Sequence, residues 1–375
     1  MIAEKKARRY DLDWLRIFAI LILLYFHTGM LFSGWEWHIT NKESSDVIKN
    51  MSLFLHQWRM PLLFFISGAG TFFALGYRKP KEFVVERTKR LLIPLLAGIF
   101  LVVSPQVYIE RIKNYSSYLD FYPHFFDGIY PKGNFSWHHL WFVAYLLVYS
   151  LVSLPLFLKL RNPNSQKIVN FFKRILTSWY GSFLLVLPIV LSQFILRPFF
   201  PNDTHALVDD WACFVYYLFF FLYGYIISVS DDWTSLEKYK KHNLCYSILS
   251  FIFLFVGYAF FFDNPNYHIY TRKAIQIAIQ SLTAWFCVIT IIGYGIKFLN
   301  KSNKFLPYAN EGIYPFYILH QTAIVLIGYF VIQWKINLYV KYLIISNLSL
   351  VVCIFIYWFF IRPFGITRVL FGMKN

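Results

Sequence analysis

A nearly continuous apolar run from Leu15 to Phe32 is the feature that most limits how this chain can fold. As an α-helix, a run of this length crosses the hydrocarbon core of a bilayer, which is about 30 Å thick. Similar runs recur along the chain, so we predict an all-α integral membrane protein, a bundle of about ten transmembrane helices in one domain over residues 1–375. The predicted spans are residues 15–33, 51–76, 91–108, 138–160, 181–199, 211–229, 244–262, 274–298, 313–333 and 342–361.

The composition supports a membrane protein and argues against binding to nucleic acid. Hydrophobic residues make up 58% of the chain and charged residues only 15%, whereas a soluble domain carries about 25% charged residues. The net charge of +17 is carried mainly by short segments between apolar runs, as in the cytoplasmic loops of membrane proteins. With the basic segment around Lys5, Lys6, Arg8 and Arg9 placed inside, most of the 36 Lys and Arg residues also lie inside. We therefore expect both termini to be cytoplasmic.

One stripe of the first predicted helix carries three ionisable side chains. Arg16 and His27 are eleven residues apart and project within about 20° of each other, while Asp13 and His27 differ by about 40°. An ionisable side chain inside a bilayer is by default a candidate for function, although a histidine there also serves as a hydrogen-bonding group between helices. A group that titrates near neutrality suits general base catalysis, and we assign that role to His27.

Three arginines outside this helix are candidates for binding anions. Arg87 and Arg90 share a face at the start of the third predicted helix, where guanidinium groups and free backbone amides favour phosphate. The alternative is that they only mark a cytoplasmic loop. Arg59 lies at the outer end of the second span, where it either extends to the interface or contacts an acceptor.

Further polar side chains could line a cavity within the bundle. His139 and Trp141 lie at the start of the fourth span, but adjacent histidines do not define a metal site, so we predict no metal. Glu311, Tyr317 and His320 mark the ninth span, where hydrogen bonding between helices is the alternative role. The segments 34–50 and 115–137 are rich in Trp, Tyr, His and Asn, which suits sugars as well as simple interfacial anchoring.

Four segments in this order resemble the acyltransferase-3 family of membrane acyltransferases. They are Asp13-Trp14-Leu15-Arg16 with His27, Met60–Gly68, Arg87-Thr88-Lys89-Arg90, and Tyr314–Gln321. The resemblance covers residues 10 to 360, and the residues around His27 and Arg59 are similar to the branch that contains glucan succinyltransferases.

This resemblance implies a multi-pass enzyme of the bacterial inner membrane. Such an enzyme transfers an acyl group from cytoplasmic acyl-coenzyme A, its co-substrate, to a hydroxyl of an extracytoplasmic glycan. The family makes His27 the essential histidine and Arg87 and Arg90 the coenzyme A contacts. We assign Arg16 to anion contact and Asp13 to orienting that arginine.

Several alternatives stay open at this stage. The acyl group is acetyl or succinyl, and His27 acts as a base or carries the acyl group covalently. A transporter with a histidine proton relay is the main competing function, and a non-catalytic envelope scaffold is another. Besides the lipid bilayer, the expected partners are acyl-coenzyme A and the glycan, and a homodimer is an open possibility.

Overall fold

The computed structural model describes residues 8–373, and within that range the chain is helical without β-strands. Lys5, Lys6 and Lys374 lie outside the described residues. The helices are α1 (Tyr10–Met30), α2 (Asp46–Tyr77), α3 (Pro80–Glu110), α4 (Tyr118–His124), α5 (His138–Val152), α6 (Leu154–Arg161), α7 (Pro163–Thr177), α8 (Gly181–Leu196), α9 (Trp211–Ser230), α10 (Trp233–Lys238), α11 (Lys240–Phe260), α12 (Ile269–Leu299), α13 (Leu306–Val331), α14 (Leu338–Ile361) and α15 (Gly365–Leu370).

The helix lengths confirm an integral membrane protein with several spans. Among the described residues, eight helices are long and apolar enough to cross a bilayer: α1, α2, α3, α9, α11, α12, α13 and α14. The pairs α5–α6 and α7–α8 pass the same test only as bent units, with bends of 49° and 111°. The number of spans is therefore eight, or ten if each bent pair crosses once.

The two bent pairs differ from the straight spans predicted there. The predicted span 138–160 is broken at Ser153, and Pro155 lies in the first turn of the next helix. Proline cannot donate to the preceding turn and its ring clashes with it, so a helix restarts there more easily than it continues. The predicted span 181–199 corresponds to α8, but α7 precedes it as an amphipathic helix where the sequence had indicated a loop.

The chain packs into two compact units. The boundaries between the units fall within α1, α2, α3 and α5, so each of these helices contributes residues to both. The first unit holds residues 8–16, together with Gln57–Phe83 and Val148–Asn303. The second unit holds Ile17–His56, Val84–Leu147 and residues 304–373. The prediction of one domain over residues 1–375 stays a prediction.

The first unit contains a close crossing of α2 and α9. A Cβ atom added at Gly68 would lie 1.9 Å from the carbonyl oxygen of Phe221, and one at Gly224 would lie 1.9 Å from that of Phe65. Only glycine permits two helix backbones to approach this closely. Gly68 therefore serves helix packing. Gly70 does not, because a Cβ atom added there would have no atom of another segment within 4 Å.

The second unit is built around α13, whose central residues from Ile313 to Val325 are almost all buried. The helix packs along α14 and also contacts the C-terminal half of α3. Less of α14 is buried than of α13, which fits a helix that faces lipid on one side. Because α13 is buried along its middle, its polar side chains must find partners inside the protein.

Candidate active site

Two histidine side chains meet in the second unit, one from each of two long helices. His27 lies on α1 and His320 on α13, and 2.9 Å separates Nδ1 of His27 from Nε2 of His320. The rings are stacked, with centroids 5.0 Å apart and an interplanar angle of 27°. His320 is completely buried and His27 is half-buried. Both histidines predicted to lie within the membrane thus belong to one pair.

The hydrogen bonds around His320 determine which nitrogen atoms carry hydrogen when both rings are neutral. Nδ1 of His320 lies 2.6 Å from the backbone carbonyl oxygen of Tyr317. Because a carbonyl only accepts, this Nδ1 carries the hydrogen and Nε2 of His320 is an acceptor. His27 must then donate from its Nδ1, which leaves Nε2 of His27 as the unprotonated nitrogen. The pair therefore holds one imidazole with its basic nitrogen in a defined position.

His139 and Tyr317 pack around the same buried ring. Nε2 of His139 donates to the backbone carbonyl of Ile318 over 2.9 Å, and the His139 ring meets the His320 ring edge to face at 5.2 Å. The Tyr317 hydroxyl donates to the backbone carbonyl of His139. Two residues predicted to line a cavity are thus brought into direct contact with His320. Trp141 follows on α5, where it packs against Tyr145 at 5.1 Å.

An aromatic side chain from the segment between α1 and α2 packs on the candidate base. The indole of Trp37 stacks on the His27 ring with centroids 6.2 Å apart and an interplanar angle of 9°. Trp37 is half-exposed and belongs to the segment whose composition suggested sugar binding. A half-exposed aromatic face beside a base is a suitable surface for the apolar face of a sugar ring.

A network of buried amides extends from the residue after His320. Nε2 of Gln321 lies 3.0 Å from Oε1 of Gln106, and the Gln106 amide donates to the Thr322 hydroxyl over 2.6 Å. The Gln321 side chain also contacts Nε2 of His38 at 3.0 Å, and Nδ1 of His38 lies 2.7 Å from Oε2 of Glu110. Sequence reasoning did not name Gln106, His38 or Glu110. A signal was present in the position of Glu110, a lone acid at the end of an apolar run.

Arg87 and Arg90 lie one turn apart on α3, in the second unit. Both are half-buried. Arg90 donates to the backbone carbonyl of Gly372 over 3.3 Å and lies 3.7 Å from the Glu86 carboxylate. Both guanidinium groups interact electrostatically with the buried phenol of Tyr314 on α13. The two arginines therefore occupy a part of the unit that α13 and the C-terminal segment also form.

Glu311 belongs to this end of α13 and not to the histidine cluster. Its carboxylate lies 3.1 Å from Arg368 and 3.8 Å from Arg362. Nine residues along the helix separate it from His320, which corresponds to about 13 Å. Among the described residues, the observed partners of Glu311 are therefore arginines of the C-terminal segment.

Asp13 and Arg16 form an ion pair on the part of α1 that belongs to the first unit. The Asp13 carboxylate accepts from Arg16 over 3.1 Å and from Arg8 over 2.9 Å. His27 lies eleven residues further along the same helix, or about 17 Å. Asp13 is thus shared between two guanidinium groups.

Arg59 is buried in the first unit, although extension to the interface had been one reading of its position. It interacts electrostatically with Tyr217 on α9 and with His205 in the segment before α9. Burial lowers the pKa of His205 to about 4, even though the nearby Asp203 carboxylate acts in the opposite direction. Asp203 also pairs with Arg197 at 2.6 Å. Arg59 therefore belongs to a polar cluster that is distinct from the histidine pair.

Comparison with known proteins identifies relatives of part of the chain. Glucans biosynthesis protein C from Escherichia coli strain K12 is 30% identical over 167 residues, which is 43% of this chain and 42% of that protein. The proteins of the same name from strains SMS-3-5 / SECEC and O6:K15:H31 (strain 536 / UPEC) align over the same shares at 30% and 29% identity. The alignment thus spans about two fifths of the length of these curated relatives.

No solved structure matches the chain significantly. A family model described as "Acyltransferase domain" matches residues 9–358. This range includes most of both units. It therefore covers His27, Arg87, Arg90 and His320 together. This integral, multi-pass membrane protein belongs to the acyltransferase-3 family of membrane acyltransferases.

Proposed function

We propose that this protein is an O-acyltransferase of the bacterial inner membrane that acylates a glycan outside the cytoplasm. The donor is cytoplasmic acyl-coenzyme A and the acceptor is a hydroxyl of an envelope carbohydrate. The family supports acyl transfer, and the name of the relatives, glucans biosynthesis protein C, supports a carbohydrate acceptor. The observation that carries the proposal is the His27–His320 hydrogen bond, because it places an unprotonated imidazole nitrogen on a half-buried ring.

His27 acts as the general base in this reaction. Its Nε2 removes the proton from the acceptor hydroxyl while the hydroxyl oxygen attacks the thioester carbonyl carbon. The carbon–sulfur bond then breaks, and the coenzyme A thiolate leaves with the proton that the imidazolium returns. Each proton and electron pair is thus accounted for without a metal or redox step.

His320 positions the base and supports its charged form. When His27 takes up a proton, its Nδ1–H still donates to Nε2 of His320. His320 in turn donates to the Tyr317 carbonyl, so the positive charge is stabilised by a chain of aligned hydrogen bonds. A neutral imidazole stabilises an imidazolium less than a carboxylate does, which makes orientation the main contribution of His320.

The donor binds through its phosphates to Arg87 and Arg90. Guanidinium groups bind phosphate oxygens in a bidentate manner. The half-exposed state of Arg87 and Arg90 leaves surface for such contacts. The acyl group is acetyl or succinyl.

A transporter with a histidine proton relay is the alternative, and two contacts argue against it. Nδ1 of His320 and Nε2 of His139 each bond to a backbone carbonyl. A backbone carbonyl accepts a hydrogen bond but has no proton of its own to pass to a further group. A proton relay through these two nitrogen atoms would therefore stop at the carbonyls. The same contacts suit rings that are held in a fixed orientation for catalysis.

The test is acylation by the purified full chain in proteoliposomes, with radiolabelled acetyl- or succinyl-coenzyme A and an isolated envelope glycan fraction. We expect His27→Ala to lower turnover by roughly 10²- to 10⁴-fold, the usual contribution of a positioned base. His27→Gln keeps hydrogen bonding and should be equally inactive. Undiminished turnover in either variant would contradict the role of His27.

The control is His268→Ala, since His268 is an exposed histidine on the segment before α12. It should retain wild-type turnover. A single-turnover reaction without glycan distinguishes the base from a covalent carrier, because only a carrier leaves labelled acyl groups on wild-type protein that are lost in His27→Gln. If the protein acylates the glycan in the absence of any coenzyme A thioester, the proposed donor is wrong.

A further inference from the structure

Three ligand-type side chains from separate segments converge in the second unit, at the end of the amide network that extends from the residue after His320. His38 comes from the segment between α1 and α2, Glu110 is the last residue of α3, and His138 is the first residue of α5. Each offers a nitrogen or oxygen atom, and these atoms all lie within 4.8 Å of one another. Nδ1 of His38 is only 2.7 Å from Oε2 of Glu110. Three segments far apart in sequence thus place their donor atoms at one point.

The type of these donors indicates the ion that they would bind. Two imidazoles and one carboxylate form the donor set of many zinc sites that keep a fourth position open. Calcium and magnesium prefer sites built from oxygen alone, so the two nitrogen donors argue against both. The sequence led us to predict no metal, because adjacent histidines at 138 and 139 do not define a site. The structure separates them, since His139 contacts Ile318 while His138 faces His38.

His138 is oriented towards this point without a hydrogen bond that would explain it. Its Nε2 is buried and, among the described residues, has no hydrogen-bond partner. Its Nδ1 lies 3.3 Å from the Ser136 hydroxyl, and its ring packs on His38 with centroids 4.4 Å apart. The backbone of His138 is left-handed, with φ of 38°, a conformation that costs free energy in a residue other than glycine. A buried imidazole nitrogen without a protein partner offers a coordination position that a metal ion can fill.

The outer contacts of the cluster resemble those that orient metal ligands. A ligating histidine usually bonds through its other nitrogen to a fixed polar group. Nε2 of His38 contacts the Gln321 side chain at 3.0 Å, and the Ser136 hydroxyl lies beside His138. Tyr130 makes a side-chain hydrogen bond to Glu110. A phenol hydroxyl donates to a carboxylate, so this bond helps to orient the acid.

The nearby cation Arg111 has partners of its own. Its guanidinium donates to Oδ1 of Asn134 and, over 2.7 Å, to the carbonyl of Pro131. It also lies over the Tyr130 ring at 5.8 Å from the centroid. Its charge nevertheless opposes a second cation in the cluster, so the affinity should be below that of a site with more carboxylates.

We propose that His38, Glu110 and His138 bind one zinc ion. Binding displaces the hydrogen that lies between Nδ1 of His38 and Oε2 of Glu110. The displaced proton passes to solvent, and both side chains and His138 coordinate the ion. The ion would join the Trp37 segment to the ends of α3 and α5 and so hold the indole that packs on His27. The inference does not rest on the proposed acyl transfer and is tested without it.

The experiment is titration of metal-free, detergent-purified full chain with cobalt(II) as a visible probe, followed by displacement with zinc(II). We expect one equivalent of cobalt(II) to develop the absorption of a nitrogen- and oxygen-ligated ion, and zinc(II) to remove it. His138→Asn and Glu110→Gln should each weaken binding by at least about 10-fold. Zinc(II) should also raise the thermal unfolding midpoint of the wild type and leave that of both variants unchanged.

The matched control is His124→Asn, which removes an exposed histidine that pairs with Asp127 at 2.7 Å in the same unit. This pair has the same chemistry as His38–Glu110 but, among residues 8–373, belongs to no such three-residue cluster. The variant should therefore bind cobalt(II) like the wild type. Absence of stoichiometric binding to the folded wild type would overturn the proposal. Binding that both His138→Asn and Glu110→Gln retain would overturn it equally, because the ion would then lie elsewhere.

Discussion

The two units of this protein use their interiors differently. In the second unit, imidazoles and amides occupy the interior, and His320 and Gln321 lie on a fully packed helix. In the first unit, the buried centre of α9 is aromatic, and its polar groups are mostly tyrosine hydroxyls that bond to backbone carbonyls, as Tyr223 and Tyr225 do. Phe157 stacks on Tyr225 with centroids 3.6 Å apart.

This difference separates packing from chemistry. Hydroxyl-to-carbonyl bonds satisfy a buried group and leave no titratable site. Rings such as His27 and His320, by contrast, can change protonation state and are costly to bury without a role. We therefore expect substitutions in the first unit to change stability, and those in the histidine cluster to change acyl transfer. Four predictions test this expectation, from the largest effect to the smallest.

The helix crossing in the first unit should be the most sensitive point for stability. In Gly68→Ala the new Cβ meets the Phe221 carbonyl oxygen, a backbone atom that moves only with its helix. We expect a loss of about 3 kcal/mol or more in the free energy of unfolding. Denaturant unfolding in detergent measures it, and Gly70→Ala is the control.

In Gly70→Ala the Cβ meets no atom of another segment within 4 Å, and alanine favours a helix over glycine by about 1 kcal/mol. The control should thus be neutral or slightly more stable. Equal destabilisation by both variants would contradict the close crossing. Molecules of either variant that do fold should transfer acyl groups at the wild-type rate.

The positioning role of His320 predicts the next largest effect, this time on activity. His320→Ala removes the acceptor for Nδ1 of His27, so we expect turnover to fall by about 10²-fold. The test is a double-mutant cycle with His27→Ala, since residues that act as one unit show strongly non-additive losses. If His320→Ala lowers the residual rate of the His27→Ala protein by a further 10²-fold, His320 acts independently of the base.

The general architecture was predictable because bilayer length and loop charge are encoded locally. Eight of the ten predicted spans became long helices, and the run around His27 became α1. The amphipathic helix α7 was missed because its basic residues, Lys167, Lys173 and Arg174, are typical of a cytoplasmic loop. The segments that cover its apolar face come from elsewhere in the chain. A periodic pattern identifies which side of a helix is apolar but says nothing about which helix lies against it.

For the same reason the site was only partly predictable. His27 and His320 could be named from their position in apolar runs, but their pairing joins residues 293 positions apart. Glu311 was expected in a cavity, whereas its partners Arg362 and Arg368 lie in the segment that follows α14. Gln106, His38 and Glu110 were missed because each is a single polar residue whose partners come from other segments.

The pH dependence of stability should come partly from the first unit. His205 has a pKa of about 4 in the folded protein and an ordinary value of 6.5, so the unfolded chain takes up the proton first. Stability is therefore complete above pH 6.5 and falls as the pH drops towards 4. Between pH 7 and pH 5 we expect a loss of about 2 kcal/mol from this residue.

The variant that tests this is His205→Asn, because asparagine tolerates the left-handed backbone found there, with φ of 55°. The wild type should lose more unfolding free energy between pH 7 and pH 5 than the variant does, and the two losses should differ by about 2 kcal/mol. An unchanged difference would assign the pH dependence to other groups. Acyl transfer at pH 7 should be the same in both proteins.

A matched pair of tyrosines makes the finest test of the comparison. Tyr149 in the first unit donates to the carbonyl of Phe214, and Tyr317 in the second unit donates to the carbonyl of His139. Replacement of either by phenylalanine removes one buried hydroxyl and leaves one carbonyl without its donor, at a cost of about 1 kcal/mol in stability. Only Tyr317→Phe should also slow acyl transfer, by a few-fold, since the His139 ring touches His320. If Tyr149→Phe slows transfer as much at equal stability, catalysis depends on both interiors alike and the division between them is wrong.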